Sequence, residues 1–304
     1  MPLTNAEKTG PPATAGGSDV NLPIGIFDSG VGGLTVYRAL HERLPNEHFV
    51  YLGDTARVPY GTKSLSTVER YAIENAKFLE AHGIKLLVVA CNTASALALP
   101  AIRKAVKANV VGVIEPGARA AVAVAAGKKI GVIATEATVQ SGAYTRAIGK
   151  YSGADSPVDV IERACPLFVP LAEEGWAETD VARAVAEQYL SDLRKNDVGA
   201  LVLGCTHYPI LRELISDVIG NEIPLIDSGE AAASEVQTLL ESSGLLSLAS
   251  QDEIRDRQLC DDLDHFYVTD AAERFAKVAE RFLGTSPSVL EAVEVWGHDE
   301  LRTN

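Results

Sequence analysis

The sequence predicts an α/β protein in which parallel sheets, flanked by helices, are built twice along one chain. Two observations carry this. Short apolar, β-branched-rich runs alternate with helix-period segments from residue 24 to about 243, and unbroken apolar strands of that kind belong to sheets buried on both faces. The second half then repeats landmarks of the first in the same order. IGIFDS (24–29) returns as IGVIAT (130–135), VPYG (58–61) as VPLA (169–172), KLLVVACNT (85–93) as GALVLGCTH (199–207), and VIEPG (113–117) as LIDSG (225–229). The helix expected from Ser66 returns as the one from Thr179, and the offsets run from 106 to 114 residues. Any two βαβ units look alike, but five elements matched in order, with cysteine on cysteine, point to a duplication.

Taken in order, strands are expected at 24–28, 49–53, 85–90, 110–114, 129–134, 158–163, 200–204 and 224–227. After the first, DSGVGG (28–33) makes a glycine-rich turn into a helix starting near Leu34. The helix at 66–82 sets Val68, Tyr71, Ala72, Ala76 and Leu79 on one face. Ser66 and Glu69 read as its capping box and Gly83 as its terminator. At 179–195, Ala182, Val185, Ala186, Tyr189, Leu190 and Leu193 share a face. Beyond 244 the pattern weakens. The polar, acidic stretch 247–264 reads as a loop or insertion, and Asp270 with Glu273 reads as the cap of a helix running to Leu283.

At 304 residues the chain suits one large domain or two of about 150. It is 47% hydrophobic and 22% charged, enough apolar content for a sizeable core. Lys plus Arg number 27 against 41 Asp plus Glu, a net charge of −14. That field repels phosphate backbones and acidic bilayers, so no nucleic acid and no membrane is expected as a partner. An anionic substrate would need local donors. The longest uncharged stretch, 86–102, contains Asn92, Thr93, Ser95 and Pro100 and reads as strand and turn rather than a span. Residues 1–21 lack the basic start and apolar core of a signal peptide and read as a disordered tail. The expected location is therefore the cytoplasm, with the cysteines at 91, 165, 205 and 260 as free thiols.

Ligands of parallel α/β sheets bind beyond the carboxyl ends of the strands. Four motifs fall there: Asp28-Ser29-Gly30, Pro59-Tyr60-Gly61, Cys91-Asn92-Thr93 and Cys205-Thr206-His207. A buried cysteine is commonly just a small hydrophobe, but the duplication singles out Cys91 and Cys205. If the halves face each other across a pseudo-twofold axis, one thiolate can take a proton from a stereocentre while the other thiol protonates the opposite face. Cys165 and Cys260 have no matching partners and read as structural. There is no C-x-x-C, and Cys205 with His207 is a weak ligand pair, so no metal is expected. His207 stands where a nucleophile elbow needs glycine. DSGVGG fails G-x-G-x-x-G and no P-loop follows, so no nucleotide cofactor is expected either. The free N–H groups of that turn, with Asn92, Thr93 and Thr206, are uncharged donors suited to a carboxylate.

IGIFDSGVGGLTV, YLGDTARVPYGTKS, VACNTASA, ACPLFVPLAEEG and VLGCTHYPIL resemble, in order, the signature segments of the glutamate racemases within the aspartate/glutamate racemase family. The resemblance spans residues 24 to 284. His207 and DSGVGG are similar to the glutamate rather than the aspartate enzymes. Where the family usually has glycine before P-E-R-F, this chain reads Thr269-Asp270-Ala271-Ala272-Glu273-Arg274-Phe275. The resemblance implies a cofactor-independent interconversion of L- and D-glutamate that supplies D-glutamate for peptidoglycan. It implies acid/base roles for Cys91 and Cys205, serving the D and L enantiomers respectively. Asp28 and Glu173 would assist as carboxylates, and His207 would sit beside Cys205. Asp28, Ser29, Tyr60, Gly61, Asn92, Thr93, Thr206 and His207 would hold the substrate. It also implies a site between two α/β domains, 22–115 with 228–284 and 116–227, and leaves 285–304 as a C-terminal extension. Glutamate as the small-molecule partner and a homodimeric assembly complete the expectation. Plainer roles stay open: Asp28 as a helix cap, Glu173 as a solvated charge, His207 in a core hydrogen bond. An aspartate racemase and a non-catalytic amino-acid-binding protein are the competing readings. The second leaves the paired cysteines unexplained.

Overall fold

Each strand in the computed structural model runs parallel to the strands it pairs with. The structure describes residues 19–153, 157–247 and 257–296. Most of the N-terminal tail, the middle of the 247–264 segment and the end of the C-terminal extension therefore lie outside the described residues. In chain order the elements are β1 (Ile24–Asp28), α1 (Leu34–Arg43), β2 (Phe49–Gly53), α2 (Leu65–Ala81), β3 (Leu86–Val89), α3 (Asn92–Leu97), α4 (Leu99–Ala105), β4 (Asn109–Gly112) and α5 (Ile114–Val124). Then come β5 (Ile130–Ala134), α6 (Glu136–Ser141), α7 (Ala143–Ser152), β6 (Val160–Ala164), α8 (Phe168–Glu173), α9 (Asp180–Lys195), β7 (Ala200–Gly204), α10 (Arg212–Ile219) and β8 (Leu225–Asp227). The chain closes with α11 (Ser228–Ser243), β9 (His265–Val268), α12 (Ala272–Leu283) and β10 (Leu290–Ala292).

The strands form two sheets, ordered β10-β9-β2-β1-β3-β4 and β6-β5-β7-β8. The run β2-β1-β3-β4 has the same order as the whole second sheet, as a duplicated unit must. Ile24 pairs with Phe49 and Leu86, and Ile130 pairs in the same way with Val160 and Ala200. Successive strand residues face opposite sides of a sheet. Ile24, Ile26, Leu86 and Val88 accordingly pack in one cluster while Phe27, Leu87 and Val89 pack in another. The first of these clusters also takes in Ile133, Leu201 and Leu203 of the second sheet. One apolar core thus runs through both halves, each fully buried Ile or Leu contributing about 1.5–3 kcal/mol. It holds the carboxyl ends of β1, β3, β5 and β7 at a common junction.

Local chemistry moves several boundaries from those expected. Helix α2 is capped by Ser64, whose Oγ accepts from Thr67 N at 3.4 Å; Ser66 lies inside the first turn and makes no capping box with Glu69. Gly83, at φ +71°, does end that helix. The 110–114 strand stops at Gly112 because Ser95 Oγ takes the Val113 N–H at 3.3 Å, and α5 begins at Ile114. Helix α12 has no side-chain cap; its N-cap is Ala271 at φ +51°, and Asp270 only accepts that residue's own N–H at 2.7 Å. Strands β9 and β10, which the weakened pattern hid, extend the first sheet beyond β2, and β10 lies in the 285–304 segment. Asp19–Asn21 forms a 3-10 turn whose Val20 carbonyl accepts from Lys85 Nζ at 2.7 Å. Among the described residues no helix is long and apolar enough to cross a membrane.

Candidate active site

Cys91 follows β3 and caps α3, its Sγ accepting from Ala94 N at 3.5 Å. Cys205 follows β7 at the equivalent place in the other sheet. Both line one cavity of about 230 Å³ at the junction of the halves. Ser29, Gly30, Asn92 and Thr93 of the first half share its wall with Thr135, Glu173, Thr206 and His207 of the second. The 58–61 turn, with Val58, Pro59, Tyr60 and Gly61, and the apolar pair Val169 and Pro170 complete it. Asp28 is fully buried and is not among the lining residues.

The two cysteines have unlike surroundings. Ser29 Oγ lies 3.4 Å from Cys91 Sγ. Burial first, then the negative charge of nearby Asp28, pushes the Cys91 thiol up to about 12. Asp28 is itself raised by burial, against the pull of His207 and the N–H groups of Gly33, Gly30 and Ser29. Its Oδ2 accepts from Gly30 N at 2.9 Å, so it orders the turn rather than capping α1, and its Oδ1 has no protein partner. On the other side Cys205 Sγ lies 3.8 Å from His207 Nδ1, and His207 Nε2 lies 3.0 Å from Glu173 Oε1. Burial disfavours charge on that imidazole, yet Cys205 and Glu173 outweigh it and hold His207 at about 10. Glu173 is correspondingly lowered, chiefly by its bond to His207. Arg274 Nη2 donates to Glu173 Oε2 at 3.2 Å, and Arg281 donates to the Glu173 carbonyl. The imidazole beside Cys205 is therefore biased toward its protonated form, in which both N–H groups have partners.

Close packing fixes this geometry. A Cβ on Gly32 would fall 2.3 Å from Thr206 Oγ1 and 2.4 Å from His207 Nδ1, so only glycine lets the two halves touch there. Thr35 Oγ1 donates to the Thr206 carbonyl at 2.8 Å, and Thr93 Oγ1 meets Thr135 Oγ1 at 2.9 Å. Tyr60 donates its hydroxyl to Asp54, which also receives Arg57 Nε at 2.7 Å, Asn75 Nδ2 at 3.2 Å and Thr269 Oγ1 at 3.0 Å. The hydroxyl of Tyr60 is thus committed away from the cavity. Asn92 Nδ2, buried without a protein partner, is an unused donor. An orphan donor on the cavity wall suits a ligand carboxylate. No cluster of three or more His, Cys, Asp or Glu among the described residues is placed to hold a metal.

Every expected site residue except Asp28 is a lining residue. Sequence reasoning missed Val58, Thr135, Val169 and Pro170. Thr135 had a signal, since the repeat aligns it with Ser29; the other three are part of the VPYG and VPLA matches but carry no polar group. Asp54, Asn75 and Thr269, which anchor Tyr60, gave none.

Two parallel α/β halves with a cysteine at matched strand ends around one cavity have the arrangement of a racemase, one acid/base group on each side of a ligand. The family profile for Asp/Glu/Hydantoin racemase matches residues 24–236, and the chain belongs to that family. It is 52% identical over 261 residues to the glutamate racemase of Geobacter metallireducens, covering 86% of this chain and 92% of that one. The structure is similar to Thermus thermophilus glutamate racemase in complex with β-chloro-D-alanine, with TM-score 0.78 and 46% identity over 91% of this chain and 98% of that one. It is also similar to Francisella tularensis glutamate racemase in complex with D-glutamate, with TM-score 0.80 and 39% identity over 91% and 98%.

Proposed function

We propose that this racemase interconverts L- and D-glutamate by a two-base mechanism in which Cys91 and Cys205 each serve one face of the α-carbon, without a cofactor. The observation that carries the reading is the pair of cysteines, one from each half, lining a single cavity with an orphan amide donor on its wall. One thiolate takes the α-proton, and the C–H electron pair stays on the α-carbon, delocalised into the carboxylate. The other thiol gives its proton to the opposite face. The two sulfurs end with exchanged protonation and are reset by solvent or by the reverse turnover. A free α-proton is far less acidic than a thiol near 8.5, so the carbanion needs fixed donors in a dry site.

Asn92, Thr93, Thr206 and the turn after β1 would hold the carboxylates, and Asp28, buried behind the cavity wall, would order that turn through Gly30. His207, biased toward its charged form by Cys205 and Glu173, would supply a counter-ion where a thiolate forms at Cys205. Asp28 and Ser29 attend Cys91. The complexes of relatives with D-glutamate and β-chloro-D-alanine support the same ligand chemistry here. D-Glutamate made this way would feed peptidoglycan synthesis in the cytoplasm, by a homodimer.

The test is racemisation by protein dialysed against a chelator, with L- and D-glutamate and L- and D-aspartate as substrates. Inversion of glutamate with aspartate largely inert is the expected result. Activity that disappears on chelation and returns with a metal, or a preference for aspartate, would overturn the proposal.

A further inference from the structure

We propose that Tyr144 is a positioning residue for the substrate, fixing from the second half which end of the Asn92 side chain faces the ligand. This rests on Asn92 being a substrate contact. Tyr144, on α7, is fully buried. Gly204 makes room for its ring, which a Cβ there would meet at 3.0 Å. The hydroxyl donates to Asn92 Oδ1 at 2.7 Å. Ser228 Oγ has one proton to give, either to the Leu203 carbonyl at 3.2 Å or to the same Asn92 oxygen at 3.4 Å, so the short bond from Tyr144 is the one that holds Oδ1. With its oxygen held by Tyr144, the amide presents its NH2 group, and Nδ2 has no protein partner.

A buried amide donor is costly to leave unpaired, and a carboxylate is the acceptor that suits it best. Turned over, the same amide would offer its carbonyl oxygen, which repels a carboxylate. A phenol is a better donor than acceptor, so Tyr144 favours the orientation that keeps Oδ1 against its hydroxyl and turns Nδ2 toward an acidic substrate. Asn92 begins α3 of the first half and Tyr144 belongs to the second, so the contact also exists only while the two halves are together.

The experiment compares Tyr144→Phe, Asn92→Ala and the double variant with wild type, measuring KM and kcat for L-glutamate and the melting temperature. Tyr144→Phe keeps the ring and removes only the hydroxyl. It is expected to raise KM about tenfold with kcat within about twofold, the sign of a contact equal in ground and transition states. In the Asn92→Ala background the same change should alter KM less than about twofold, because its target is gone. The proposal fails if Tyr144→Phe keeps the wild-type KM while Asn92→Ala raises it. It fails as well if Tyr144→Phe acts equally in both backgrounds with a lowered melting temperature, which marks a packing role. If Asn92→Ala itself keeps the wild-type KM, the underlying reading of Asn92 falls, and the proposal with it.

Discussion

Replacing Gly32 by alanine is expected to inactivate the enzyme while leaving it folded. Gly32 is not at positive φ, so the substitution strains no backbone and its effect is purely steric. The added Cβ would lie 2.3 Å from Thr206 Oγ1, 2.4 Å from His207 Nδ1 and 2.5 Å from His207 Cε1, against ordinary contact from 3.4 Å. Something must therefore yield by about 1 Å. The Thr206 carbonyl is tied to Thr35, and His207 is tied to Glu173 and Cys205. Either the imidazole leaves its place beside the thiol or the halves slide apart. A displacement of that size at reacting groups costs about 10²-fold in rate, and overpacking costs about 1–3 kcal/mol of stability. The assay is kcat/KM for glutamate by circular dichroism, with a melting curve. Gly149→Ala, where a Cβ meets nothing within 4 Å, is the control. Wild-type kcat/KM in Gly32→Ala would refute the claim that this contact sets the geometry at Cys205.

Thiol alkylation should inactivate the protein with glutamate protecting, since Cys91 and Cys205 line the cavity while Cys165 and Cys260 are buried elsewhere; labelling confined to Cys165 and Cys260 by peptide mapping contradicts this. His207 is held at about 10, above its ordinary 6.5, so its charge stabilises the fold fully below about pH 6.5 and ceases to as pH rises through about 10. The melting-temperature advantage of wild type over His207→Gln should shrink across that window, and a gap that widens would reverse the sign. Arg274→Gln removes a largely exposed partner of Glu173 and should lower kcat only a few-fold, as surface pairs are worth about 1 kcal/mol or less; a hundredfold loss would give that arginine a larger part. Ala271→Gly relieves a left-handed alanine, a conformation costing roughly 1–2 kcal/mol, and should raise the melting temperature.

Three strands, 24–28, 49–53 and 200–204, have the ends expected of them, because each is an unbroken apolar run buried on both faces. The repeat made Cys91 and Cys205 legible as a pair, since duplication is written in the order of motifs and needs no contact information. What escaped depends on tertiary partners. Ser95 ends β4 from another segment, Asp54 and Thr269 anchor Tyr60 across the chain, and β9 exists because β2 offers it an edge. Glu173 has no local signature: its counterpart in the repeat is Thr62, and only the fold brings it to His207. The Tyr144–Asn92 bond spans both halves and leaves no trace in either segment.

The central claim is that each cysteine serves one face of the substrate. Racemisation needs both thiols, but loss of a β-leaving group after α-proton removal needs only one base. Cys91→Ser and Cys205→Ser should each abolish glutamate racemisation, because a serine hydroxyl is far too weak an acid to supply the base. Measured on the two enantiomers of β-chloroalanine, chloride release should persist for opposite enantiomers in the two variants. The Cys205→Ser protein, which keeps Cys91, should process the D form, and Cys91→Ser the L form. If both variants favour the same enantiomer, or if either racemises glutamate at the wild-type rate, the two-thiol account is wrong.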